Sequence, residues 1–323
     1  MEKIVLLDTA VGSTNKGDEI IMECTKEELG DLLKKYFVLS TPTHLSAFTT
    51  AQNWFSLPDS AREISESKYK FVCGTNLFST NMRHRCCQWN INYFNSKPIH
   101  GSVFVGVGSN GKQKLDFYTK KLYKKVLSND LIHSVREENA KNLLESMGLK
   151  CLNTGCVTLW KLTEEYCNLI PKEKADNVIF TLTDYKRDEK YDSELIKILR
   201  QNYKKIYFWV QGIYDLDYLK ILTDLNGIEI IPPDINSYKE ILKQNNLDYV
   251  GTRLHAGIFA MRCKKRAIII AVDERMNAMR ESIKSNVILR KDIDQLSEFI
   301  NSSIQIKINI NFDSVNKWKS QFK

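Results

Sequence analysis

The chain has 323 residues, 43% of them apolar and 27% charged, which fits a soluble globular protein of two domains. Its longest apolar runs, such as Ala267 to Val272, are far too short to cross a bilayer, and its N-terminal stretch, short and carrying an acid, reads as the start of a strand rather than a signal peptide. The net charge of +8 is spread along the chain rather than packed into one arm. No helix-turn-helix, RNA-recognition or zinc pattern accompanies it, so a small anionic substrate or an acceptor at the inner membrane surface is expected, and not nucleic acid.

Short apolar runs alternate with amphipathic stretches, the pattern of parallel sheets covered by helices. In the first half, strands are predicted at Lys3–Leu7, Tyr36–Leu39, Lys70–Cys73, Ser102–Val107 and Leu131–Val135. Helices are predicted at Glu19–Leu33, Leu115–Val126 and Glu137–Met147, where apolar residues fall at helical spacing. In the second half, strands are predicted at Asn177–Leu182, Lys205–Val210, Ile228–Ile231, Tyr249–Gly251 and Ala267–Val272. The helices between them are Ser193–Gln201, Asp217–Leu225, Ser237–Gln244 and Leu254–Arg262. The expectation is α/β: two Rossmann-like domains, 1–168 and 169–323, facing a cleft, with ligands at the carboxyl ends of the strands. The segment from Ile304 to Lys323 reads equally as strand or terminal helix and can pack back on the first domain.

Eight cysteines, at positions 24, 73, 86, 87, 151, 156, 167 and 263, form no Cys-x-x-Cys pair. They read as reduced, mostly buried thiols of a cytoplasmic protein. No metal cluster is expected; Asp184, Asp188 and Asp192 lie in a charged, turn-like stretch that reads as a solvated face.

Six segments carry candidate chemistry. Asp248 to Gly251 is an apolar strand end, and Thr252-Arg253-Leu254-His255-Ala256 leads from it into a helix. Such a junction offers backbone N–H groups and the positive end of a helix to an anion. Arg253 adds a planar charged fork and His255 a group that exchanges protons near neutral pH. The plain alternatives are a salt bridge for Arg253 and a structural hydrogen bond for His255. Arg136, in Ser134-Val135-Arg136-Glu137, is a cation at a helix start, where an anion held nearby would favour it; otherwise it is an exposed arginine. Gly12-Ser13-Thr14-Asn15-Lys16-Gly17-Asp18-Glu19 follows the first strand but has neither the Gly-Lys-Ser/Thr order of a phosphate-binding loop nor a Gly-x-Gly-x-x-Gly dinucleotide turn, and Asp18 suits helix capping. Cys73-Gly74-Thr75-Asn76, Gly106-Val107-Gly108 and Gln211-Gly212 with Asp215 end other strands, where they could meet substrate or simply turn the chain. Trp160 and Trp209 could stack on sugar rings, with core packing the plainer reading.

Taken together and in order, these segments resemble the polysaccharide pyruvyl transferase family. The matches run from Asn15-Lys16-Gly17-Asp18, through Phe71-Val72-Cys73-Gly74, Gly106-Val107-Gly108, Ser134-Val135-Arg136 and Asn153-Thr154-Gly155-Cys156. They end with the most specific stretch, Ser237-Tyr238 through Thr252-Arg253-Leu254-His255-Ala256 to Asp273. Departures are Val157 and Arg266 or Ala267 where proline is common, Arg275 where lysine is common, and a glycine-poor Gly74-Thr75-Asn76. The resemblance implies a glycosyltransferase-B-like architecture and transfer of a pyruvyl group from phosphoenolpyruvate to a sugar as a cyclic ketal, without cofactor or obligatory metal. It further implies that Arg253, Leu254 and His255 are donor-site residues, with Arg136 reaching the same anion. His255 is the expected acid–base group, and Asn15, Gly17, Asp18, Asn76 and Gln211 are expected substrate contacts. The saccharide acceptor, lipid-linked at the inner face of the membrane, completes the expectation. The rival reading on the same architecture is a nucleotide-sugar-dependent glycosyltransferase, for which Glu274 and Glu281 come closest to a paired-glutamate signature. A catalytically silent binding protein is the third.

Overall fold

The computed structural model describes residues 1–49, 59–83, 88–110, 114–272 and 282–322. Asp273, Glu274, Arg275, Glu281, Cys86 and Cys87 lie outside the described residues. The chain divides into two compact units, one of Met1–Ser13, Ile21–Trp160 and Ile310–Lys323, the other of Thr14–Ile20 and Lys161–Asn309.

The first unit is built on a parallel sheet of β1 (Lys3–Asp8), β2 (Phe37–Pro42), β3 (Tyr69–Cys73) and β4 (Val103–Val105), in the order β2-β1-β3-β4. A bridge from Val107 to Val135 continues it into β5 (His133–Val135), which pairs with β6 (Cys151–Asn153). Alternation along β1 explains why it reads as an unbroken apolar run. Val5 and Leu7 join Val72 and Phe104 in one core, while Ile4 and Leu6 join Phe71 and Val105 in another. Helices α1 (Gly17–Glu28), α2 (Phe117–Val126) and α3 (Glu138–Glu145) supply covering residues. Leu122 and Tyr123 of α2 and Leu144 of α3 close the first face, and Ile21 and Met22 of α1 the second. The second face is also covered by the C-terminal helix Phe312–Lys319, whose Trp318 is fully buried and meets the Phe71 ring at 6.3 Å. The ambiguous tail therefore ends as a helix, preceded by residues 303–310 with no regular structure.

His133 shows why a histidine can be core. Its Nδ1 accepts from the Phe104 N–H at 3.2 Å and its Nε2 donates to the Ser128 carbonyl at 2.9 Å. Burial pushes its pKa down to about 4 from the ordinary 6.5, against the pull of the Ser128 carbonyl. A histidine whose folded pKa is depressed stabilises fully above its unfolded pKa, and that stability is lost as pH falls toward the folded value. Acidification from about pH 6.5 to about pH 4 should therefore remove roughly 3 kcal/mol through this group. His133→Gln keeps one donor and one acceptor but no titration. Urea midpoints measured across that window should fall less steeply for the variant than for the wild type; parallel slopes would contradict the assignment.

The second unit holds a six-stranded parallel sheet: β7 (Asn177–Thr181), β8 (Lys205–Trp209), β9 (Ile228–Ile231), β10 (Leu247–Gly251), β11 (Ala267–Ala271) and β12 (Val287–Leu289). Its order, β9-β8-β7-β10-β11-β12, starts at the centre, grows one way, then reverses. The reversal falls between β7 and β10, so their carboxyl ends flank the crevice where doubly wound sheets take ligands. Helices α4 (Glu189–Asn202), α5 (Asp215–Leu222), α6 (Ile235–Ile241) and α7 (Leu254–Arg262) connect the strands. Trp209 is fully buried and stacks on Tyr238 with centroids 3.9 Å apart, so it is core; Trp160 is buried in the first unit.

Arg266 has a purpose in this sheet. Its fully buried side chain pairs with Asp248 at 2.9 Å and donates to the carbonyls of Lys172, Ile300 and Ser302. Tyr203 donates to the same Asp248 oxygen at 2.9 Å. One arginine thus ties Asp248 of β10 to carbonyls from the segment before β7 and from the end of the helix Leu296–Asn301.

Candidate active site

In the second unit, β10 runs to Gly251 and the chain turns into α7 with Arg253 as the N-cap residue. Gly251 is required there because a Cβ would sit 2.7 Å from the Thr181 backbone N on neighbouring β7. Thr252 and Thr183 exchange a hydroxyl hydrogen bond at 2.8 Å, locking the two strand ends together. Leu254 and His255 follow as the first residues of α7, both half-buried.

Arg253 is not a free fork. Its side chain is 2% exposed and bound by two carboxylates, Asp184 at 2.8 Å through Nη2 and Asp215 through Nη2 and Nε. Nε also donates to the Leu182 carbonyl at 2.8 Å. Asp215 in turn accepts from the Gly212 N–H at 2.7 Å and the Asp184 N–H at 3.2 Å. Burial pushes the Asp215 carboxyl up, opposed by the Arg253 charge and its hydrogen bonds. The arginine is held flat against backbone, since a Cβ on Gly212 would meet its Nη2 at 2.1 Å. Only Nη1 is buried with no hydrogen-bond partner. That atom offers two N–H donors, and a buried donor left unmet is costly unless a ligand satisfies it. Asp184, expected on a solvated face, is instead part of this network. Asp192 also departs from that reading: it is buried and binds Arg290 and Tyr218 at 2.8 and 2.6 Å. Asp188 caps α4.

Gln211 and Gly212 follow β8, and they meet the Asn15 loop. Asn15 Oδ1 accepts from Gln211 Nε2 at 2.7 Å and from the Gly17 N–H at 2.9 Å, while the Lys16 N–H donates to the Gln211 carbonyl at 2.9 Å. Asn15 and Gly212 form an antiparallel bridge, and Asp18, buried in the first turn of α1, donates its N–H to the Asn15 carbonyl. Gln211 Oε1 remains buried and unbonded. Asn15, Gly17, Asp18 and Gln211 thus form one cluster, linked through Gly212 to Arg253 and Asp215.

Arg136 and Asn76 make a separate cluster in the first unit. Arg136 follows β5 and its Nη2 donates to Asn76 Oδ1 beyond β3. Gly108 lets the guanidinium lie against the backbone, because a Cβ there would meet Arg136 Nε at 2.3 Å. Nε is buried and has no partner. Next to Asn76, Thr75 holds φ +46°, a conformation that costs a β-branched residue energy and is retained mostly where function needs it. Glu137 accepts from the Ser109 N–H at 2.9 Å, so it fixes the neighbouring loop rather than meeting the arginine.

Among the described residues, Cys24, Cys73, Cys151, Cys156 and Cys167 are buried and Cys263 half-buried, and none of these is joined in a disulfide. Burial pushes the Cys151 thiol up to about 12 and Cys167 to about 11. Among the described residues, no group of His, Cys, Asp or Glu could hold a metal ion, and no helix is long and apolar enough to cross a membrane.

Two Rossmann-like units of parallel sheet and helix give the protein a glycosyltransferase-B-like fold. On fold, the chain is similar to MnaA of S. aureus, solved with UDP (TM-score 0.52, 11% identity, 98% of this chain and 95% of that one). The Methanocaldococcus jannaschii UDP-GlcNAc 2-epimerase, solved with UDP-GlcNAc and UDP, matches at TM-score 0.49 and 13% identity over 98% of each chain. No curated protein sequence matches significantly. The polysaccharide pyruvyl transferase model matches residues 15–274, most of the chain. The protein belongs to that family and is a transferase of polysaccharide biosynthesis.

Proposed function

We propose that the protein transfers the pyruvyl group of phosphoenolpyruvate to two hydroxyls of a sugar in a surface-polysaccharide precursor, closing a cyclic ketal. The observation that carries this reading is the β10–α7 junction, where Arg253 Nη1 is buried and unmet beside the positive end of α7. A phosphate or carboxylate there gains charge-assisted hydrogen bonds and the helix end together. Leu254 contributes backbone at that turn, and Gln211 with Asn15, Gly17 and Asp18 lines the adjoining cluster. Arg136, aligned by Asn76, is the anion-binding group of the first unit.

The chemistry balances without a redox partner. A proton added to the methylene carbon of the donor leaves cationic character on the adjacent carbon. A sugar hydroxyl attacks that carbon and loses its proton. The carbon–oxygen bond to phosphate then breaks, phosphate departs with the electron pair, and a second hydroxyl attacks the same carbon and gives up its proton as the ketal closes. Of the two hydroxyl protons, one replaces the proton taken up by the methylene carbon and the other leaves with phosphate. His255 transfers protons in these steps. The work is done in the cytoplasm, on a lipid-linked acceptor at the inner membrane face, and no cofactor is consumed.

Donor carrying label in its pyruvyl carbons, incubated with the protein and a panel of lipid-linked saccharides, tests the reading. Label should enter an acid-labile ketal with one phosphate released per ketal. Consumption of a nucleotide sugar, with the label still in the donor, would show glycosyl transfer instead.

A further inference from the structure

The basic charge of the chain is less evenly distributed than a scan for basic runs suggests. Between Gln88 and Ser128 lie seven lysines and a single acid, Asp116, so this stretch holds +6 of the chain's +8. Helix α2 orders part of it. Its buried face is Thr119, Leu122, Tyr123 and Val126. Phe117, Lys121 and Lys124, spaced at four and three residues, share the opposite, exposed face, with Lys120 half-buried beside them. Phe117 is 80% exposed at the start of that face.

A second segment lies along the helix and adds to the same face. The Tyr93 N–H donates to Tyr118 Oη at 3.2 Å, and Lys125 Nζ donates to the Tyr93 carbonyl at 3.1 Å. The ammonium groups of Lys121 and Lys125 sit 5.3 and 3.8 Å from the Tyr93 ring centre. Phe94, next in the chain, is 54% exposed, and Lys97 is exposed just beyond. His100 registers the crowding: burial first, then Lys125, Lys70 and Lys97, push its pKa down to about 4. Asp116 does not neutralise the face, because it caps α2 through the Thr119 N–H and lies 3.7 Å from Arg83.

Like charges gathered around two exposed phenylalanines are costly in water alone. An anionic interface resolves both costs, since its headgroups meet the ammonium groups and its acyl boundary takes the aromatic rings. We infer that the α2 face, with Phe94 and Phe117 as apolar anchors among Lys97, Lys120, Lys121 and Lys124, docks the protein on an anionic lipid surface. Lysines rather than arginines suit this occupant: a headgroup layer is a diffuse field met by point charges, whereas nucleic-acid recognition favours the planar arginine fork. The inference uses no residue of the proposed donor site and stands whichever donor is used.

Flotation of the full chain tests it, with phosphatidylcholine vesicles containing phosphatidylglycerol compared with phosphatidylcholine alone. The protein should float with the first and stay behind with the second. Each lysine is worth about fivefold in partitioning, so combined Lys120→Glu, Lys121→Glu and Lys124→Glu should reduce binding more than about a hundredfold. Phe117→Ser alone should reduce it about tenfold, through lost apolar burial, without altering the charge. Phe117, Lys121 and Lys124 lie on the solvent side of α2 and Lys120 at its edge, so melting temperatures should stay close to the wild type. Equal flotation with both vesicle types, or of wild type and the triple variant, would overturn the proposal. So would tight binding to single-stranded RNA with no flotation on anionic vesicles.

Discussion

His255→Ala is expected to lower turnover by about a hundredfold to ten-thousandfold, the range that a positioned acid–base group contributes, while donor affinity changes little. The imidazole is half-buried in the first turn of α7, two residues after the arginine proposed to take the anion. Loss of the side chain leaves the Arg253 network intact, because that network is built from Asp184, Asp215 and the Leu182 carbonyl. His255→Gln separates two roles. Glutamine can hydrogen-bond but cannot exchange a proton near neutral pH, so a proton-transfer role predicts that Gln is as slow as Ala. Recovery in the Gln variant would assign His255 to phosphate binding alone. Turnover unchanged in both variants would make it a structural residue. Single-turnover rates and calorimetric donor affinities, measured on the same samples, distinguish these cases.

Arg253→Met is expected to destabilise the second unit by about 3–5 kcal/mol, the cost of leaving buried charge without its partner. Asp215 is fully buried and Asp184 half-buried, and both lose their counter-charge. The effect has a predictable pH dependence. An acid whose folded pKa is raised above its unfolded value penalises the fold at high pH, and the penalty fades as pH falls and the acid is protonated. Asp215 is already pushed up by burial and rises further without Arg253, so the deficit should shrink on acidification. Arg253→Lys supplies the companion result. A lysine keeps the charge for one carboxylate but has no planar fork to serve Asp215, Asp184 and an anion at once. Its stability loss should be smaller than that of Met, yet donor affinity should fall at least about tenfold. Urea unfolding and donor titration check the two halves separately. Wild-type stability in the Met variant would mean that the buried pair is worth no more than the methionine that replaces it.

What the sequence makes legible follows from range. Leu254–Arg262 is recognised as a helix to the residue, and the strand before it to its last residue, because local apolar spacing and the Gly251 stop both act within a few positions. The α/β parallel class follows from the same alternation repeated along the chain. Edge elements are lost: β6 and β12 are three residues each, too short for a period to show, and α1 ends at Glu28 before a separate turn at Gly30–Leu33. The arginine junction was visible, but its partners were not. Asp184 and Asp215 lie 69 and 38 residues from Arg253 and are brought to it by sheet order. The one available cue was their position just past the ends of β7 and β8, which singled out Asp215 beside Gln211 and left Asp184 in a run of charges. The α2 face escaped for a related reason: its lysines are interrupted by the buried Leu122 and Tyr123, so no basic run stands out until the helix is wound.

Phosphoenolpyruvate is the proposed ligand of the β10–α7 junction. Thermal stabilisation of the purified protein by phosphoenolpyruvate, against a panel of nucleotide sugars, tests it most directly. At about a hundred times its dissociation constant a ligand adds about 2.7 kcal/mol of stability, ample to raise the melting temperature. The expected result is a rise with phosphoenolpyruvate alone, lost in Arg253→Lys. A rise with a nucleotide sugar alone would contradict the assignment and make the protein a glycosyltransferase.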